Sequence, residues 1–390
     1  MMRRSALALA CALAGSAAVA DPLLLTVATS DRHADFFQLE SSGRKNIAAD
    51  NARVALVWEE TRGGHSASYI AFRALDGNQG FSEPLVLGNH DAFNPVIASC
   101  GGHFYVAWIE ADSVRVTEMV GDARGPQVQL AEGPINELTI ACRDDSALLA
   151  WSRRAGKGYA VEAASVTASA GGLTHTAPAA VAPVQTYRFQ TNPGVAYARG
   201  RVVVTWHDRS SGTNLLYATS GRSLDRLDKQ VQINELIQKS YEWGSGSSAV
   251  RNALAVGKDQ RLVAVWLDKR ASRAGYKVYS AFSNDGGVTW GDNYDIIDEW
   301  GAIVPQWTPA IASDGDSHLM AVWMDSREDG NTIWSSKLSG MTWGANTNLS
   351  GDAEGAYSPV IAYSPDGTLH LAWIEKNNGG SRIRYFSERD

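Results

Sequence analysis

Cysteine is scarce: the 390 residues hold three, and Cys11 falls inside a leader-like stretch. A small domain stapled by many disulfides is therefore excluded. Histidine is scarce as well, with eight residues and none of the spacings of a metal centre. His207 beside Asp208 reads as a solvated pair in a turn. There is no glycine-rich phosphate loop and no nucleophile elbow. Positive charge is in deficit, 35 basic against 42 acidic side chains for a formal charge of −7. That balance excludes a nucleic-acid partner, which needs a concentrated basic surface. Long apolar runs are missing too, since nothing approaches the ~18 to 20 residues of a membrane-spanning helix. The short run Ala6 to Ala14, with Arg3 and Arg4 before it and Ala18-Val19-Ala20 after it, reads as a secretory signal over residues 1–20. The rest, 21–390, is expected as one exported, monomeric domain, periplasmic or secreted, with no membrane span.

Tryptophan is present in number and in order. A short apolar strand, a Trp and then an acidic residue return at intervals of roughly 50 residues, at Trp58, Trp108, Trp151, Trp206, Trp266, Trp323 and Trp373. Before each lies another strand ending in Ala, often opened by Asn or Pro, as in Asn94-Pro95-Val96-Ile97-Ala98. A polar turn, a third strand and a fourth follow each anchor. Four short strands repeated seven times predict an all-β fold, a seven-bladed β-propeller of four-stranded antiparallel blades. The blades fall near 46–88, 94–131, 137–184, 192–235, 251–299, 308–350 and 358–390. The last lacks a fourth strand, and residues 35–41, with Phe36 to Glu40, are expected to supply it and close the ring. Cys100 and Cys142 each follow the Ala that ends an inner strand of consecutive blades, so they are expected to pair in an oxidising compartment.

Ser283-Asn284-Asp285-Gly286-Gly287-Val288-Thr289-Trp290 resembles a complete Asp box, and Gly340-Met341-Thr342-Trp343 keeps its second half. The chain thus resembles the Asp-box (neuraminidase-type) propellers. That resemblance implies boxes on the face opposite the active site. It also implies arginines holding a carboxylate, a Tyr activated by a Glu as nucleophile, and an Asp as acid. Tyr187-Arg188-Phe189 is loosely similar to the Arg-Ile-Pro opening of that family's first blade, without the Ile-Pro.

Two positions after the Trp anchor the residue is acidic in six repeats, including Asp208, Asp268 and Asp325, with Arg270 and Arg327 close behind. Such turns can cap and pair locally, so function is sought where the repeat breaks. The breaks are Ser152-Arg153-Arg154, the Arg188 segment, the loop Tyr241-Glu242-Trp243 leading to Arg251, and Trp300 and Trp307 around Pro305. The expected site lies at the channel mouth: Tyr241, Glu242 and Asp268 as catalytic groups; Arg188, Arg251, Arg327, Trp243, Trp307, Asp208 and Asp325 as ligand contacts. Its partner would be an acidic carbohydrate or a protein. An exo-sialidase, another glycan-active enzyme and a non-catalytic binding or assembly propeller all remain open. No organic cofactor is expected; Asp292, Asp295, Asp298 and Glu299 could attract Ca2+, though without the spacing of a calcium loop.

Overall fold

The structure is a computed structural model that describes residues 22–30, 34–77, 79–183, 189–236, 248–270, 275–298, 304–328, 330–351, 355–377 and 380–389. Seven antiparallel sheets form a closed ring, and neighbouring inner strands touch all the way round it. The second blade shows the plan, with Phe93–Cys100 innermost, then His103–Glu110, Ser113–Val120 and Ala123–Glu132. The core is not central. It lies in seven wedges between blades, and each wedge is filled by the Trp anchor of the following blade: Trp108 between blades one and two, Trp151 between two and three, and so on to Trp58 between seven and one. All seven indoles are at most 1% exposed. An indole buries up to ~250 Å², which explains why this residue recurs once per blade. At the axis the demand is opposite, and each inner strand places an alanine there, from Ala48 in the first blade to Ala362 in the seventh.

Ring closure differs from the sequence expectation in its strand. The fourth strand of the seventh blade is Leu23–Thr29, paired with Gly380–Arg389. Ala34–Gln38 instead joins the first blade, paired with Arg53–Arg62, the strand that Ile47–Ala49 pairs with further along. Both segments are strands. The one nearer the N-terminus closes the ring because the later one is needed to complete the inner edge of blade one.

Cys100 and Cys142 are joined by a disulfide between neighbouring inner strands, their Cα atoms 5.9 Å apart. The Ser283–Trp290 turn closes on Asp285, whose carboxylate accepts from Val288 N (3.1 Å), Thr289 N (3.0 Å) and the Ser283 hydroxyl (2.8 Å). Gly287 in this turn has φ 87°, and a Cβ there would lie 2.9 Å from Val203 of the preceding blade. Glycine is required on both counts.

Candidate functional site at the channel mouth

Every inner strand is interrupted at the same level by one residue of positive φ: Arg44, Asn94, Glu137, Asn192, Arg251, Thr308 and Ser358, all between 49° and 59°. In blades two to seven the interruption is a bulge; in the second, for example, Phe93 faces Ile109 but Val96 already faces Ala107. A left-handed non-glycine residue carries a backbone cost, yet its presence in every blade makes it a property of the ring geometry. In the first blade the bulge has grown into a loop, because Gln38 faces Glu59 while Ile47 faces Leu56.

That loop fills the axis and contains one short 3-10 turn, Ser42–Arg44. The inner edges of propeller strands present unpaired backbone groups, and the loop meets them from several blades. Asn46 donates to Pro95 O (3.0 Å), Ser42 to Pro193 O (2.6 Å), Lys45 to Leu254 O (3.1 Å) and Arg44 to Pro359 O (2.9 Å), and Lys45 O accepts from Ile97 N. It is a plug that divides the channel into a mouth and a lumen.

The mouth is a cavity of about 480 Å³. Its floor is the plug, with Glu40, Ser41 and Arg44; its wall includes Glu137, Asn192, Arg251, Tyr276 and Trp307. Arg251 forms an ion pair with Glu40, and both side chains remain more than a third exposed. The Trp307 indole is 40% exposed and leans on Tyr276, ring centroids 5.9 Å apart. Arg44 is buried, its Nη1 has no hydrogen-bond partner among the described residues, and burial pushes its guanidinium down to about 9. Glu137 accepts from Ser152 Oγ (2.8 Å), Asn192 N (2.7 Å) and Asn192 Nδ2 (2.9 Å). Burial nonetheless raises its carboxyl above the usual range, because desolvation of the charged form outweighs those bonds.

Of the sequence-derived site residues, Arg251 and Trp307 meet in this cavity. Arg188, Tyr241, Glu242 and Trp243 lie outside the described residues. The acidic turns are corrected. Asp268 and Asp325 are fully buried and face the blade interior. Asp268 accepts from Trp266 Nε1 (3.4 Å), Arg270 Nη2 (2.8 Å) and Ser248 N (3.1 Å). Asp325 accepts from Trp323 Nε1 (3.0 Å) and Arg327 Nη2 (2.7 Å). Arg327 lies over the Trp334 ring, 4.1 Å from its centroid, and neither pair lines the mouth cavity. Asp208 is buried too and caps its own turn through Ser210 N (2.8 Å). Asp268 and Asp325 orient their Trp anchors, and all three carboxylates hold the outer turns. His207, read as solvated, is 2% exposed, and burial pushes it down to about 3. The acidic loop proposed for Ca2+ is tied to cations already: Asp295 to Lys277 (3.7 Å) and Asp298 to Arg327 (3.5 Å). No cluster of ligating side chains that could hold a metal occurs among the described residues.

The third blade shows what sequence spacing hides. Its acidic turn residue is replaced by Arg153, and Glu162 on the adjacent strand takes over, accepting from Trp151 Nε1 (3.3 Å) and Arg153 Nε (2.9 Å). Glu40, Arg44, Glu137 and Tyr276 were missed as site residues. The signal available for Glu137 was that it stands at the inner-strand start, where the second and fourth blades carry Asn94 and Asn192.

No known family model matches the chain, and no curated protein matches its sequence. Solved structures do. A protein of unknown function from Dyadobacter fermentans is 11% identical, with 94% of this chain and 97% of that one covered and a TM-score of 0.55. The β-propeller domain of the Trilobed protease from Pyrococcus furiosus is 12% identical over 92% and 94%, with a TM-score of 0.51. The NanB sialidase of Streptococcus pneumoniae is 10% identical over 94% and 70%, with a TM-score of 0.49. At such identities the likeness is one of fold.

Proposed function

We propose that this chain is an exported glycan-recognising propeller that seats an acidic saccharide in the mouth cavity. The observation that carries the reading is the meeting there of the partly exposed Arg251 guanidinium and the exposed Trp307 indole, above a floor that holds the buried Arg44. An arginine fork pairs with a sugar carboxylate through parallel hydrogen bonds, and an indole face packs on the apolar face of a pyranose ring. Arg251 is already held by a carboxylate, that of Glu40, in a partly exposed pair worth only ~0 to 1 kcal/mol. A ligand carboxylate can replace it at small cost. The leader sequence and the Cys100–Cys142 bond support action in an oxidising compartment. No helix among the described residues is long and apolar enough to cross a membrane.

A glycan-cleaving reading rests on one further observation, the raised carboxyl of Glu137 on the same wall. Burial shifts this carboxyl in the direction that a general acid toward a glycosidic oxygen requires. The test is a glycan array for retention, joined to fluorogenic glycosides of sialic and uronic acids for turnover. Retention of acidic saccharides by the wild type and its loss in Arg251→Ala are expected. If the array retains neutral glycans alone, or none, the proposal fails; turnover that survives Glu137→Gln removes Glu137 from the acid role.

A further inference from the structure

Lys45 follows Arg44 on the plug but faces the other compartment, a lumen of about 390 Å³ between the plug and the face where the inner strands end. Its ammonium has one hydrogen-bond partner among the described residues, Leu254 O at 3.1 Å. Two of its three donors therefore have no acceptor among the described residues. Among the described residues the lumen wall carries no acidic one. The other cation on it, Arg143, stands at the open rim, stacked over Tyr197 at 4.6 Å and 3.7 Å from Asp144. Burial alone pushes the Lys45 ammonium down to about 8, so it still carries its charge at neutral pH. A cation enclosed without a carboxylate is an uncompensated charge, which proteins satisfy with a counter-ion or remove. Around it the seven inner-strand alanines present a ring of methyl groups, with Tyr197 and Tyr363 below.

We propose that this lumen binds a small aliphatic monocarboxylate, its carboxylate on Lys45 and its alkyl chain against the alanine ring. A single cation at the closed end matches a monoanion, and the belt of alanine methyls, which polar Ser99, Ser313 and Gln260 flank, matches a short apolar body. An inorganic anion would satisfy the charge but leave the walls unused. The site is separate from the mouth, because the plug lies between them.

Isothermal titration of the mature protein with acetate, butyrate and hexanoate tests the proposal, with chloride and phosphate as inorganic controls. Saturable binding is expected near pH 7, tightening by roughly fourfold per methylene until the lumen is full. Wild-type affinity should fall by about tenfold or more between pH 7 and about 9.5, as the amine loses its proton. At pH 8 binding should draw a proton from the buffer, visible as a buffer-dependent enthalpy. Lys45→Gln should lose the site. Ala98→Leu, which narrows the lumen but leaves Lys45 in place, should reject hexanoate. No saturation by any carboxylate, affinity independent of pH and of Lys45, or equal binding of chloride would each overturn the proposal.

Discussion

Arg251 is partly exposed and holds Glu40 across the mouth, whereas Arg270 is buried and directs its donors to Asp268, Glu235 (3.1 Å) and Asn293 (2.7 Å). The two arginines should answer substitution in opposite ways. Arg251→Ala removes a weak pair from a wet surface, so the thermal midpoint should stay within a few degrees while acidic-glycan affinity drops about tenfold or more. Asp268→Ala leaves the buried Arg270 guanidinium with the half-exposed Glu235 as its counter-charge and strips Trp266 Nε1 and Ser248 N of their acceptor, and should lower unfolding free energy by about 3 to 5 kcal/mol, read by urea denaturation. An Asp268→Ala protein of unchanged stability that has lost its ligand would return that carboxylate to the site. The sequence shows an acid two residues after six of the seven Trp anchors but not the side to which it turns. At Asp268 and Asp325 the Trp indole and the Arg next but one decide that, and their bonds exist only once the strands are paired. Arg251 and Trp307 were legible because they break the repeat; Glu137 and Arg44 were hidden, since an inner-strand start tolerates Asn, Ser, Thr, Arg or Glu.

Seven anchors made the blades legible, for a periodic signal survives variation in any one unit. The plug has no such period: Leu39 to Asn46 is a bulge enlarged in one blade, and nothing in its residues says that it points down an axis. Its fit is nevertheless strict. Gly43 has φ 69°, and a Cβ there would lie 2.8 Å from Thr139 Oγ1 of the third blade. Gly43→Ala should therefore cost about 1 to 3 kcal/mol, and a midpoint equal to wild type would show that the plug adapts. The closing strand is misread from the sequence because two short segments, 23–29 and 34–38, both precede the first Trp anchor, and only the geometry of the closed ring decides between them. Deleting residues 21–30 should expose the outer edge of the last blade and produce aggregation on light scattering. A deletion that stays monomeric with an unchanged melting temperature would show closure to be dispensable.

Two buried imidazoles couple the whole ring to pH. His370 donates or accepts between Tyr385 OH (2.7 Å) and Ser364 Oγ (3.1 Å), and burial pushes it down to about 4, as it pushes His207 to about 3. In the unfolded chain both take up a proton near the ordinary ~6.5. The unfolded state therefore binds more protons below that point. The stability these residues contribute is full above pH ~6.5 and falls as the pH drops toward their folded values. Urea midpoints should decline between pH 7 and 4.5, less steeply in His207→Gln; equal slopes in the two proteins would contradict the assignment. The disulfide acts on the same scale, closing a sequence separation of 42 residues. Its removal should lower unfolding free energy by about 2 to 4 kcal/mol. Pairing Leu23–Thr29 with Gly380–Arg389 has a kinetic consequence. The first strand of the fold to be synthesised has its partner at the other end of the chain, so it waits, unpaired, for nearly the entire polypeptide to appear. Contacts of that separation are the slowest to form. A chain that crossed a membrane unfolded would release both ends into one compartment before either could pair wrongly with a neighbour's edge, and the latching of the ring would be the last step in becoming native.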